Sequence, residues 1–91
     1  MEKLEEAVLK AVDEYNKYRS PEAKARLIKI REDGLIIDFE GTFCQTCGVY
    51  DYLEDFIYEL QRFVDMSTEI LNFKQYEPGK IRVEYRLKRT D

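Results

Sequence analysis

Two cysteines, Cys44 and Cys47, are the residues whose type and spacing favour a chemical role. Two thiols three positions apart are typical of metal binding or of dithiol–disulfide exchange. The sequence contains no histidine, which removes the commonest general base and a common metal ligand. An iron–sulfur or closed zinc site needs about four protein ligands, so one chain supplies only half of them. A homodimer that joins two such turns would complete the site.

The two thiols lie in a loop between a predicted strand and a predicted helix. The strand alternates apolar and polar residues up to Phe39, and the loop runs from Gly41 to Tyr50. Asp51 and Glu54 then have the spacing of a helix N-cap and its N3 partner, so we expect the helix to begin near Asp51. Its apolar stripe, which we interpret as core packing, comprises Leu53, Phe56, Ile57, Leu60, Phe63 and Val64.

A first helix and two β-hairpins complete the predicted elements. Residues 2–18 carry apolar side chains at helical spacing, and Ser20-Pro21 predicts the end of that helix. Asp33-Gly34 predicts a two-residue hairpin loop, with Ile30 facing Ile37 and Ile28 facing Phe39. The second hairpin turns at Pro78-Gly79. There an odd-length loop, with Phe73 facing Tyr85, keeps apolar residues paired with apolar residues.

The order of elements predicts an α+β fold. The chain reads α-β-β-α-β-β, and each strand has one clearly apolar face, so we expect a two-layer sandwich with both helices on one face of a four-stranded sheet. Residues 1–91 form a single domain in this interpretation, since the chain is too short for a second core. The other face of the sheet is expected to be charged and open, with Ile36 and Leu27 as an apolar spot on it.

Composition and charge limit the classes of partner. The chain has 91 residues, a net charge of −4 and 37% charged residues. The first residues are charged and do not resemble a signal peptide, and no apolar run is long enough for a membrane span, so we expect a cytoplasmic protein that does not bind membranes. The acidic chain disfavours nucleic acid as a partner, because Asp38 and Glu84 interrupt the basic strip that the last strand would form with Lys29 and Arg31. A protein partner or a homodimer is favoured.

The cysteine loop and its surroundings resemble a known family. Asp33-Gly34 between two strands, a strand ending at Gly41, the Cys44-x-x-Cys47 turn and the helix after it are similar to the C-terminal domain of NifU-type iron–sulfur scaffold proteins, which have an FSCA-like fold. The resemblance covers roughly residues 25–76, so the strand from Ile81 to Lys88 is additional. It implies an iron–sulfur cluster shared between two chains and passed to target proteins. Cys44 and Cys47 alone would be its metal ligands.

The sequence therefore favours a non-catalytic scaffold or carrier of an iron–sulfur cluster or metal. One alternative is a small protein-interaction domain whose cysteines are structural and bind no metal. Another is a dithiol redox protein. Asp51, Glu54 and Asp55 oppose that last interpretation, because negative charge near the thiols disfavours the reactive thiolate.

Overall fold

The predicted order of elements and the α+β class are confirmed. The computed structural model describes residues 2–19, 23–31, 33–41 and 49–89. The two helices and the four antiparallel strands are α1 (Glu2–Arg19), β1 (Lys24–Arg31), β2 (Gly34–Glu40), α2 (Val49–Gln61), β3 (Met66–Glu77) and β4 (Lys80–Arg89). Within the described ranges, neither helix is long and apolar enough to cross a membrane.

The last strand of the chain lies in the interior of the sheet. The strands follow the order β1-β2-β4-β3, so β4 pairs with both β2 and β3. Four residues of β4 are buried against the helices: Ile81, Val83, Tyr85 and Leu87. A strand that contributes this much of the core is not an addition to a smaller fold. The NifU-type pattern, which ends before this strand, therefore omits a central element of the architecture.

Both helices begin and end close to their predicted bounds. Helix α1 ends at Arg19, before Ser20-Pro21, as the proline predicts. Helix α2 begins at Val49, so Asp51 lies in its first turn and the predicted N-cap at that residue is wrong. An acidic side chain in the first turn is still favourable there, because the amino end of a helix carries partial positive charge.

The first hairpin has a different register from the one predicted. Ala25 pairs with Phe39, and Leu27 pairs with Ile37, with a β-bulge between Leu27 and Lys29. The bulge adds one residue to β1, which leaves Ile28 40% exposed instead of facing Phe39. Leu27 therefore packs against the helix-covered core, and the prediction that it lies on the open face is wrong.

The second hairpin contains two bulges and also departs from prediction. Glu77 pairs with Lys80 around a two-residue turn, and the register shifts once beside Leu71 and once beside Tyr76. As a result Phe73 pairs with Val83 and not with Tyr85. The bulge beside Leu71 keeps Ile70 and Phe73 on the helix side, opposite the buried Tyr85 and Val83.

One hydrophobic core lies between the helices and one face of the sheet. Four aromatic rings meet at its centre, with centroids 5.4 to 6.5 Å apart and mostly edge-to-face geometry: Tyr15, Phe39, Phe56 and Tyr85. The Tyr15 hydroxyl donates a hydrogen bond to the main-chain oxygen of Tyr52 at 2.9 Å, and the Tyr85 hydroxyl donates one to Leu53 at 2.8 Å. These bonds tie α1 and the sheet to the first turns of α2. Both helices therefore cover the same face.

Candidate functional site

The predicted ligands Cys44 and Cys47 lie outside the described residues, within 42–48. Among the residues that the structure does describe, no group of three or more Cys, Asp or Glu side chains is arranged to hold a metal ion. The charged and polar groups that could bind a ligand lie instead on the face of the sheet that the helices leave open.

A buried carboxylate anchors the open face. Asp38 on β2 is only 5% exposed, and in the described part of the chain it is the one charged residue classed as buried. The Arg82 guanidinium holds it with two hydrogen bonds, from Nε to Oδ1 at 2.7 Å and from Nη2 to Oδ2 at 3.0 Å. The Tyr76 hydroxyl donates to Oδ2 at 2.9 Å, and Nη2 of Arg26 lies 3.8 Å from the same oxygen. We call these four residues the Asp38 cluster.

Strand register assembles the Asp38 cluster. Asp38 pairs with Arg82 across β2 and β4 and with Arg26 across β1 and β2, so three neighbouring strands place their side chains on one face. Tyr76 joins them from β3, where the register shifts between Gln75 and Glu77. A bulge redirects a side chain in this way, because it changes the alternation of the strand. Arg82 also stacks on Tyr76, and its guanidinium carbon lies 5.0 Å from the centroid of that ring.

The ionisation of Asp38 and Tyr76 follows from these contacts. The hydrogen bonds from Arg82, with a smaller contribution from Tyr76, hold the pKa of the Asp38 carboxyl below its ordinary value despite the opposing effect of burial. The same hydrogen bond to Asp38 raises the pKa of Tyr76, because ionising the phenol would remove the donated proton. Asp38 is therefore ionised and Tyr76 neutral near neutral pH.

Next to the Asp38 cluster lies a hollow of about 310 Å³. We call it the open-face hollow, and its lining comprises Ile36, Asn72, Lys74, Tyr76, Arg82 and Glu84. The Glu84 carboxylate accepts a hydrogen bond from Asn72 Nδ2 at 2.9 Å and lies 3.9 Å from Nη1 of Arg31. Lys74 takes part in none of the ion pairs among the described residues. The hollow thus combines an uncommitted cation with the apolar side chain of Ile36 and the ring of Tyr76.

The two layers of the fold carry opposite charge. The four strands contain ten lysine or arginine residues against five acidic residues, whereas the two helices contain four against nine. The sheet is therefore positively charged, and most of the acidic residues of these elements lie on the helices. The chain as a whole is negative.

Comparisons with known proteins identify the fold but no family. Neither a protein-family model nor a curated protein matches the chain. A solved structure from work on heme distortion in the H-NOX family matches with a TM-score of 0.52 and 15% identity, over 97% of this chain and 48% of the other. An oxygen-binding H-NOX domain related to soluble guanylate cyclases, solved as its oxygen complex, matches with a TM-score of 0.51 and 18% identity, over the same two fractions. The chain thus spans about half the length of the structures it matches, and at this identity the similarity concerns the fold.

These neighbours overturn the interpretation as an iron–sulfur scaffold. The resemblance to NifU-type domains is wrong, because the structures that share this arrangement are H-NOX domains. The iron–sulfur cluster predicted as a cofactor is therefore wrong as well. The same holds for the scaffold or carrier function predicted for Cys44 and Cys47. The two alternatives, an interaction domain with structural cysteines and a dithiol redox protein, receive no support from these neighbours either.

The sequence pointed to part of the open face and missed its centre. The basic residues of β4 were expected there, with Asp38 and Glu84 as interruptions. The cluster around Asp38 depends on the two bulged registers, which place Arg26 and Tyr76 within reach of the carboxylate. An aspartate between the apolar residues Ile37 and Phe39 was the available signal.

Proposed function

We propose that this chain is a ligand-binding domain that holds a small organic anion in the open-face hollow. The observation that carries the proposal is the position of Lys74, a cation without an ion-pair partner in the described structure, beside the half-buried Ile36 and the Tyr76 ring. An ammonium group next to apolar surface suits a molecule with a carboxylate at one end and an apolar body.

The size and charge of the hollow support this class of ligand. A volume of about 310 Å³ lies at the small end of the range for small-molecule sites. The carboxylates nearby, Asp38 and Glu84, are already bonded to Arg82 and Asn72, and Arg26 and Arg31 lie close to them. Cations therefore outnumber carboxylates around the hollow, which favours an anion over a cation or a neutral molecule.

Heme, which one of the matched H-NOX structures concerns, would find no histidine in this chain and no uncommitted phenol at the two buried tyrosines of the described residues. Heme iron is held in proteins by histidine, cysteine, methionine or tyrosine, and this sequence has no histidine. The buried tyrosines Tyr15 and Tyr85 donate their hydroxyl groups to main-chain oxygens of α2. Burial raises the pKa of both phenols, which opposes the tyrosinate that a metal would need. The proposed function therefore uses the fold without a heme.

A pair of probe molecules tests the proposal. Benzoate and benzamide share a ring and differ in charge, and each would be titrated into ¹⁵N-labelled protein while amide resonances are recorded. We expect benzoate to shift the amides of Ile36, Asn72 and Tyr76 in a saturable manner and benzamide to shift them much less. Added salt should weaken the benzoate effect, because the contact with Lys74 is exposed to solvent.

Two outcomes would contradict the proposed function. Equal shifts with benzoate and benzamide would show that charge plays no part. Shifts confined to α2 or to the far end of the sheet, with none around the hollow, would place the binding elsewhere. A cytoplasmic location forms part of this proposal, and fractionation of cells that express the chain tests it.

A further inference from the structure

The two edges of the sheet differ in how they are protected. β1 forms one edge of the described sheet and β3 the other, so each presents main-chain groups that none of the four described strands pairs. At the β1 edge, the side chain of Asn16 on α1 accepts a hydrogen bond from Ala25 N at 2.6 Å and donates one to Ala25 O at 3.0 Å. β1 also carries four lysine or arginine residues among its eight positions. Charge and a covering helix are both recognised ways of preventing edge-to-edge pairing.

The β3 edge carries exposed apolar side chains on both of its faces. Leu71 is 48% exposed and borders a hollow of about 180 Å³ on the open face. Phe73 is 43% exposed and, as the partner of the buried Val83, lies on the helix side. Its ring lies 6.2 Å, between centroids, from that of Tyr50, which is 49% exposed. A strand added to this edge would cover apolar groups on both faces at once, which a partner docked on one face would not do.

We propose that β3 pairs antiparallel with β3 of a second copy of this chain, joining the two sheets into one. Charge complementarity favours the second copy as the occupant. Glu69 and Lys74 both point to the open face, since they pair with the outward-facing Arg86 and Arg82. With the two-fold axis between Leu71 and Asn72, Glu69 of each copy faces Lys74 of the other, so two opposite-charge pairs form.

The same register also matches the apolar residues. Ile70 of each copy then faces Phe73 of the other, and both lie on the helix side because the bulge beside Leu71 reverses the alternation of the strand. Centring the pair on Phe73 instead would place Glu69 opposite Glu77, which like-charge repulsion disfavours. The bulge thus fits the proposed register and marks its axis. Lys74 also lines the open-face hollow, so an anion bound there would compete with Glu69 of the second copy, and the dimer is therefore tested without ligand.

A matched pair of variants tests which edge associates. Phe73→Glu places a charge on the β3 edge, and Ile28→Glu places the same charge on the β1 edge at a similarly exposed position. Measured by light scattering with size-exclusion chromatography and no added ligand, the unaltered chain should have twice its 10.9 kDa mass. Phe73→Glu should weaken the dimer at least about tenfold, and Ile28→Glu should leave it unchanged. A monomeric unaltered chain, or a dimer that survives Phe73→Glu, would overturn the proposal.

A charge exchange tests the register and remains informative if Phe73→Glu fails to fold. Glu69→Lys alone and Lys74→Glu alone should each weaken the dimer several-fold, because each creates two like-charge pairs. The double variant should restore the dimer, since it re-forms both pairs with reversed polarity. Equal weakening in the single and double variants would rule out the register, and circular dichroism of each variant verifies the fold. Phe73→Glu separates the two proposals, because Phe73 does not line the open-face hollow: benzoate shifts that persist in a monomeric Phe73→Glu variant support the ligand site, whatever the oligomeric state.

Discussion

The two faces of the same sheet are built by different physical means. On the covered face, Phe39 and Tyr85 are fully buried and their rings contact those of Tyr15 and Phe56 from the helices. On the open face the buried side chain is a carboxylate, Asp38, and hydrogen bonds to charged and polar neighbours satisfy it. Apolar burial drives folding without regard to direction, whereas the open face depends on specific pairs. One face is therefore held by packing of apolar side chains and the other by pairs of charged and polar groups.

The largest effect is expected from the covered face. Phe56→Ala removes the α2 ring that packs against Tyr15, Phe39 and Tyr85, and leaves a cavity at the centre of the core. We expect the free energy of unfolding in urea to fall by about 3–5 kcal/mol. Tyr58→Ala on the same helix is the control, because Tyr58 is 64% exposed. Similar losses for the two variants would contradict the assignment of Phe56 to the core.

A smaller, pH-dependent effect is expected from the open face. Asp38→Asn keeps the size of the side chain but removes the charge that Arg82 holds, and it should cost about 1–3 kcal/mol at pH 7. Contacts with Arg82 hold the folded-state pKa of Asp38 below its value in the unfolded chain. Asp38 therefore contributes stability above the unfolded-state pKa, near 3.9, and this contribution is lost as the pH falls through the folded-state pKa.

Urea unfolding at a series of pH values measures this contribution. The difference in unfolding free energy between the unaltered chain and Asp38→Asn should be largest near neutral pH and should shrink as the pH falls below about 4. Asp13→Asn, which makes the same change of charge at an exposed position of α1, is the control. A difference that does not vary with pH would show that the Asp38 carboxylate is not held by its charged partners.

The smallest effect on stability is expected from a single hydroxyl group on the covered face, that of Tyr85. Tyr85→Phe removes the hydrogen bond to the Leu53 oxygen and leaves the ring in place, so unfolding should become easier by about 1 kcal/mol. Thermal or urea unfolding measures the change, and Tyr58→Phe serves as the exposed control. An unchanged or increased stability would mean that the hydrogen bond between the sheet and α2 contributes nothing. Packing alone would then stabilise this face.

Periodicity predicted the elements and the covered face, because burial on one side leaves a regular trace in the sequence. The stripe of α2 placed Leu53, Phe56 and Leu60 in the core, and all three are buried. The helical spacing of apolar side chains over residues 2–18 extends to Tyr18, yet that residue is 66% exposed. That residue lies in the last turn of α1, near the margin of the packed region.

Register and function were less accessible from the sequence. A bulge adds one residue to one strand, so the side chains beyond it that would have faced the core face the other way. No residue type near Leu27 or Leu71 indicates that a bulge occurs there. The cluster around Asp38 depends on those bulges and so could not be assembled in advance. The Cys44-x-x-Cys47 turn resembled a family through a local pattern, whereas the position of β4 in the middle of the sheet is a property of the whole fold.

The most direct test of the ligand site compares the benzoate affinities of two single variants. Lys74→Gln and Lys88→Gln remove the same charge from the same face of the sheet, and only Lys74 lines the open-face hollow. We predict that Lys74→Gln lowers the affinity about threefold to fivefold, since exposed ion pairs contribute up to about 1 kcal/mol, and that Lys88→Gln leaves it nearly unchanged. Equal losses in the two variants would show that benzoate responds only to the general charge of the sheet, and would contradict a site at the hollow.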